Sequence, residues 1–119
     1  MNLTIDRKTW LRGESQNSYL LRGRDKKMCC LGFYALKQGV DKDILTDIGE
    51  PHDLPDEERL LVLPLLKEVA SGTGKRVGNS FVCDKLINAN DSQRISEEVR
   101  ESRITKWFAK IKVKVKFIH

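Results

Sequence analysis

Between Ile104 and Phe117 the apolar residues change period within one short stretch. Ile104, Trp107, Phe108 and Ile111 fall at i, i+3, i+4 and i+7, the stripe of an amphipathic helix. Directly after it, in "IKVKVKFIH", Val113, Val115 and Phe117 alternate with Lys112, Lys114 and Lys116, the pattern of a half-buried strand whose lysines face water. Lysine on such an edge also discourages pairing with other chains. A helix that runs straight into a strand asks for an α+β arrangement, with an all-helical domain carrying one terminal strand as the alternative.

The rest of the chain fills in that arrangement. Leu3 and Ile5 alternate with polar residues and lead to Trp10 and Leu11, a short strand entering a turn. Residues 12–18, "RGESQNS", read as a loop. "YLLRGRDKKMCCL" reads as two extended runs about a polar turn at Gly23 to Lys27, a hairpin-like signal. From Met28 the period becomes helical through Leu31, Tyr34 and Ala35, and Gly39 suits a left-handed stop, so a helix is expected over about 29–38. Asp41 is the expected N-cap of a second short helix ending at Gly49.

Acidic residues after Pro55 suit the positive end of a third helix, which Pro64 should kink or split. "SGTGKRVGNS", 71–80, is expected to be a flexible connection. Val82, Leu86 and Ala89, with Cys83 and Ile87, give the next helix an apolar face, and charged "DSQRISEEVRES" precedes the last one. The expectation is one α+β domain over residues 1–119, with a small antiparallel sheet that includes the N- and C-terminal strands and is covered by several short helices.

Charge and cysteine content set the expected compartment and partner. Lys and Arg number 22 against 17 Asp and Glu, a net charge of +5 that favours an anionic partner. Positives dominate 7–27 and 106–116, whereas acids gather in 41–58 and 97–101. Three cysteines are an odd number, and the chain opens on polar "MNLTIDRKTW", which together point to a reducing cytosol rather than secretion. The longest apolar stretch, "LLVLPLL" at 60–66, falls far short of the roughly 18 residues of a membrane span.

No chemical motif of high specificity is present. Cys29 and Cys30 are adjacent, so their thiols point about 100° apart on a helix and to opposite faces on a strand, which suits neither a shared metal nor zinc-type spacing. Lys26 and Lys27 beside a helix start could activate one of them as a nucleophile, but a base would have to come from His52 or His119. Buried packing is the expectation for both cysteines. "SGTGKR" lacks the phosphate-loop pattern, because Val69 and Arg76 stand where glycine and a hydroxyl residue belong. Asn90 and Asp91 in "INAND" are expected to end a helix and start a turn. No metal or cofactor is expected.

"TIDRKTWLRG", "YLL", "MCCLGFYALKQGV" and the later "LINAND" before an amphipathic helix together resemble a group of small uncharacterised proteins of tailed bacteriophages and prophages. The markers are Cys29, Cys30, Leu31 and Gly32, then Asn90 and Asp91, then the helix carrying Ile104, Trp107, Phe108 and Ile111. This chain differs by a longer charged segment after Asp91. The resemblance implies a non-enzymatic accessory protein for host takeover or evasion of host defence, in the cytoplasm of an infected bacterium.

With the basic segments, that points to capture of an anionic ligand, a nucleotide signal or nucleic acid. The residues expected to hold it are Arg12, Arg22, Arg24, Lys26, Lys27, Lys75 and Arg76, with Trp10 as a stacking ring. Two other readings stay open: an inhibitor that docks a host protein through apolar or acidic surface such as 41–58, and a thiol-dependent enzyme using Cys29 or Cys30. A homodimer is compatible with either binding role.

Overall fold

Strand β1 (Asn2–Asp6) lies beside β4 (Lys114–Ile118), so the two ends of the described chain form one strand pair. The computed structural model describes residues 1–14, 19–66, 68–70 and 76–119. The pair is parallel, in register from Asn2 opposite Lys114 to Asp6 opposite Ile118, and not the antiparallel pairing that was expected. Alternation fixes which face of a strand is buried, and that face is the same for either direction. Leu3 and Ile5 are buried, Val115 and Phe117 are half-buried beside them, and Lys114 and Lys116 are exposed.

Everything between these strands acts as one long crossover, as a parallel pair requires. The stretch 19–28 closes like a hairpin: Arg22 and Tyr19 bond across it to Lys27 and Cys29 through their backbones. No strand develops there, because its outer edges are used elsewhere. Met28 bridges to Trp10, and Leu21 to Thr46, both in parallel sense.

Helix α1 (Cys30–Lys37) starts one residue after Cys29 and stops as expected, with Gly39 at φ +101°. Helix α2 (Lys42–Leu45) is capped by the Asp41 carboxylate, which accepts from the Asp43 N–H, but it ends at Leu45 rather than Gly49. Tertiary pairing ends it: Asp47 donates to the Leu21 carbonyl and Leu20 to the Ile48 carbonyl, which draws 46–48 out of helical geometry. A short 3₁₀ turn (Pro51–Asp53) leads to α3 (Asp56–Leu61) and α4 (Leu63–Leu66). The break between these two falls at Val62, two residues before Pro64, where the ring denies the helix its hydrogen bond.

Strands β2 (Glu68–Ala70) and β3 (Arg76–Gly78) pair antiparallel, Val69 opposite Val77, so part of the stretch expected to be a flexible connection is a β-ribbon. Residues 71–75, with the glycine-rich candidate loop, lie outside the described residues. Helix α5 (Asn79–Asp91) and helix α6 (Glu97–Ala109) then form a helical hairpin. Ser96 caps α6 by accepting from the Val99 N–H, and Glu97 and Glu98 sit in its first turn, which settles where the charged segment becomes helical.

The core is one apolar cluster, centred on Leu3, Ile5, Leu31, Tyr34, Leu86, Ile104 and Phe108. Tyr34 and Phe108 meet with ring centroids 5.7 Å apart. Helix α1 reaches it only because residue 32 is glycine: a Cβ there would lie 1.8 Å from the Leu20 carbonyl oxygen.

A polar network runs through this core and centres on Asn90, which is 1% exposed. Its side-chain oxygen accepts from Trp10 Nε1 (2.8 Å) and the Cys30 N–H (3.0 Å), and its amide donates to the Leu11 carbonyl (3.0 Å). Cys29 supplies no side-chain cap to α1, so Asn90 caps that helix from 60 residues away. The last carbonyls of α5, Ala89 and Asn90, accept from buried Arg100 of α6, each at 2.9 Å. A guanidinium is thereby placed on the negative end of a helix.

Candidate anion-binding cleft

Of the basic residues expected to gather near the start of the chain, Arg12 and Arg22 are committed to carboxylates. Arg22 is buried, and its guanidinium binds Asp25 (2.6 Å) and Glu14. Hydrogen bonds to these two acids raise its already high pKa further. Arg12 pairs with Glu97 and lies 4.4 Å over the ring of Trp10. Trp10 is only 2% exposed, bonds Asn90 and packs on Phe117 at 5.2 Å, so the ring expected to stack on a ligand is a core side chain. Arg24, Lys26 and Lys27 are exposed. Lys75 and the side chain of Arg76 lie outside the described residues.

Arg22 and Arg24 do line a cleft of about 450 Å³ with Tyr19 and Asp47. With Glu14 and Asp25 already on Arg22, two arginines there face three carboxylates, and no positive excess remains for a ligand.

These ion pairs predict an acid response. The hydrogen bond from Arg22 holds the Asp25 carboxyl down to about 2, from an ordinary 3.8. For Glu97, burial works against ionisation, but hydrogen bonds from Arg12 and Arg100 outweigh it and the carboxyl stays below its ordinary value. Groups held low in the folded state add stability above their unfolded values and lose it as pH falls toward the folded ones. Urea midpoints should therefore drop between pH 4 and pH 2. Asp25→Asn is expected to be less stable than the parent at pH 5 and to show a shallower decline over that window.

Cys29 and Cys30 are 4% and 0% exposed, in agreement with their expected place in the core. Burial pushes the Cys30 thiol well above its ordinary pKa, and its sulfur contacts the Leu86 carbonyl at 3.9 Å. A protonated, enclosed thiol is poorly suited to nucleophilic chemistry. The three cysteines form no disulfide.

A different cleft, between α5 and α6, has the charge that the first one lacks. Lys85, Asn88, Ala89 and Asp91 of α5, then Ser92, face Arg103, Lys106 and Trp107 of α6 across about 620 Å³. The spacing is helical on both sides: 85, 88 and 92 step along one face, and 103, 106 and 107 along the other. Three cations face one carboxylate, a local excess of two positive charges. Trp107 is half-buried, with Lys106 Nζ 5.1 Å and Lys85 Nζ 6.0 Å from its ring centroid. Both ammonium groups lie over the indole, and when they turn to an anion they open the ring face to a planar group. Asn88 and Ser92 add short hydrogen-bonding side chains.

Set against protein-family models, curated proteins and solved structures, the chain has no match. Function must therefore be read from the residues themselves. Among the described residues, no helix is long and apolar enough to cross a membrane.

Sequence reasoning assigned Trp107 to the core stripe and left Lys85 and Arg103 unremarked. The signal that could have found the cleft is the recurrence of basic residues at 103, 106 and 110 beside a tryptophan on an otherwise apolar-periodic helix.

Proposed function

We propose that this protein is a non-enzymatic binding protein for a small anionic ligand of the nucleotide class, held in the cleft between α5 and α6. The observation that carries the reading is the convergence of Lys85, Arg103 and Lys106 around half-buried Trp107. Phosphate oxygens meet the three cations, the base stacks on the indole, and Asn88 or Ser92 bonds the sugar or the base edge. A local excess of two charges suits a ligand with one or two phosphates. A polynucleotide would need a longer basic track and would show steep salt dependence. In the phage setting that the sequence resemblance implies, such binding removes a nucleotide signal from use by host defence.

Calorimetric titration with a mononucleotide and a cyclic dinucleotide tests this. Saturable binding is expected, weakened at least about tenfold, or roughly 1.4 kcal/mol, in Arg103→Ala/Lys106→Ala. Arg24→Ala should leave the affinity unchanged. Absence of binding, or loss of it in Arg24→Ala while the cleft variant still binds, would mean that the α5–α6 cleft is not the site.

A further inference from the structure

Charge is segregated in this basic protein. From Asp43 to Glu58 the chain carries seven carboxylates and no lysine or arginine. The same region ends in helices α3 and α4, which present apolar side chains to solvent: Leu60 is 67% exposed, Leu61 42% and Leu63 45%. The core does not require them there. Val62 and Leu65, both fully buried, already anchor the two helices, so the outward leucines add nothing to internal packing. A cleft of about 490 Å³ opens beside them, with Leu60, Leu63 and Leu66 as its apolar wall and His52, Asp56, Glu57 and Arg59 on its rim. Arg59 is paired with Asp56, which leaves Glu57 as the uncompensated charge of the rim, with exposed Asp53 near it in the chain.

We propose that this face docks a basic amphipathic helix of a partner protein. Apolar residues at i, i+3 and i+4 enter between Leu60, Leu63 and Leu66, and flanking lysines or arginines meet Asp53 and Glu57. The charge selects this occupant. Nucleic acid and anionic membrane are repelled by the carboxylates, whereas a cationic helix is steered toward them. A second copy that offers the same leucines would set its acidic 43–58 segment against this one, like charge on like charge.

The test is fluorescence anisotropy of a synthetic helical peptide with leucines at i, i+3, i+4 and i+7 and lysines on either side. The control is the same peptide with glutamates for lysines. The lysine peptide is expected to bind saturably and the glutamate peptide not to bind. Leu60→Ser/Leu63→Ser should weaken binding at least about tenfold with an unchanged circular dichroism spectrum, since both leucines are exposed. Asp53→Asn/Glu57→Gln should weaken it several-fold. The proposal is overturned if neither peptide binds, if both bind alike, or if the serine variant binds as the parent does. It is also overturned if sedimentation shows a dimer that Leu60→Ser abolishes, since the face would then belong to a second copy.

Discussion

Asn90→Ala is expected to lower the stability of the folded chain by about 4 kcal/mol, on the basis of roughly 1–3 kcal/mol for each buried polar group left without a partner. Three groups lose one at once: Trp10 Nε1, the Cys30 N–H and the Leu11 carbonyl. The site is 1% exposed, so bulk water does not replace the amide. Asn90→Asp separates the contributions. Its carboxylate can still accept from Trp10 and Cys30, but it cannot donate to Leu11, and it would face Asp91 where the Asn90 amide donates a hydrogen bond to Asp91 Oδ1 at 3.0 Å. Urea unfolding followed by far-ultraviolet circular dichroism should rank the parent above both variants. A cost below about 1 kcal/mol for Asn90→Ala would show that the network is not a structural hub.

Gly32→Ala is the second large effect, and its sign is the opposite of what helix propensity gives. In an unconstrained helix interior, replacing glycine by alanine gains about 1 kcal/mol. Here the new methyl would fall 1.8 Å from the Leu20 oxygen and 2.7 Å from its carbonyl carbon, both backbone atoms. Neither can turn aside as a side chain could, so α1 must lift from the 19–21 segment. That is expected to cost at least about 3 kcal/mol, the upper part of the range for overpacking a core. The check is the same urea titration, together with near-ultraviolet circular dichroism to report loosened aromatic packing. The Cys-Cys-Leu-Gly segment thus has a structural meaning: two thiols and a leucine fill space, and the glycine lets the helix approach.

Much of this fold was legible because local patterns and tertiary packing agree. The helix from Cys30, its stop at Gly39, the Asp41 cap, the split before Pro64 and the change of period after Phe108 all follow from residue type and spacing. What escaped were relations between distant segments. Alternation in β4 could not give its direction relative to β1, and the length of α2 was set by Leu20 and Leu21, more than twenty residues earlier. Asn90 looked like an ordinary helix-ending residue because its partners at Trp10, Leu11 and Cys30 are visible only in three dimensions.

The site was less legible than the fold for a related reason. A cluster of arginines in sequence says nothing of the acids that will meet it, and Glu14, Asp25 and Glu97 take up Arg22 and Arg12. The tryptophan that looked available, Trp10, is enclosed, while Trp107, which fitted a core stripe, keeps part of its ring at the surface. An i, i+3, i+4 stripe defines a face about 100° wide, and a residue at its margin can border a cleft as well as the interior.

The parallel pairing of β1 with β4 orders events during synthesis. Leu3 and Ile5 are made before the residues they pack against, and the strand that pairs with them follows more than a hundred residues later. A nascent chain on the ribosome can form α1 and the α5–α6 hairpin early, since those contacts are closer in sequence, but its first strand must wait. Closing so long a loop is slow relative to local contacts. Docking of β4 is therefore a late step, after the local contacts have formed.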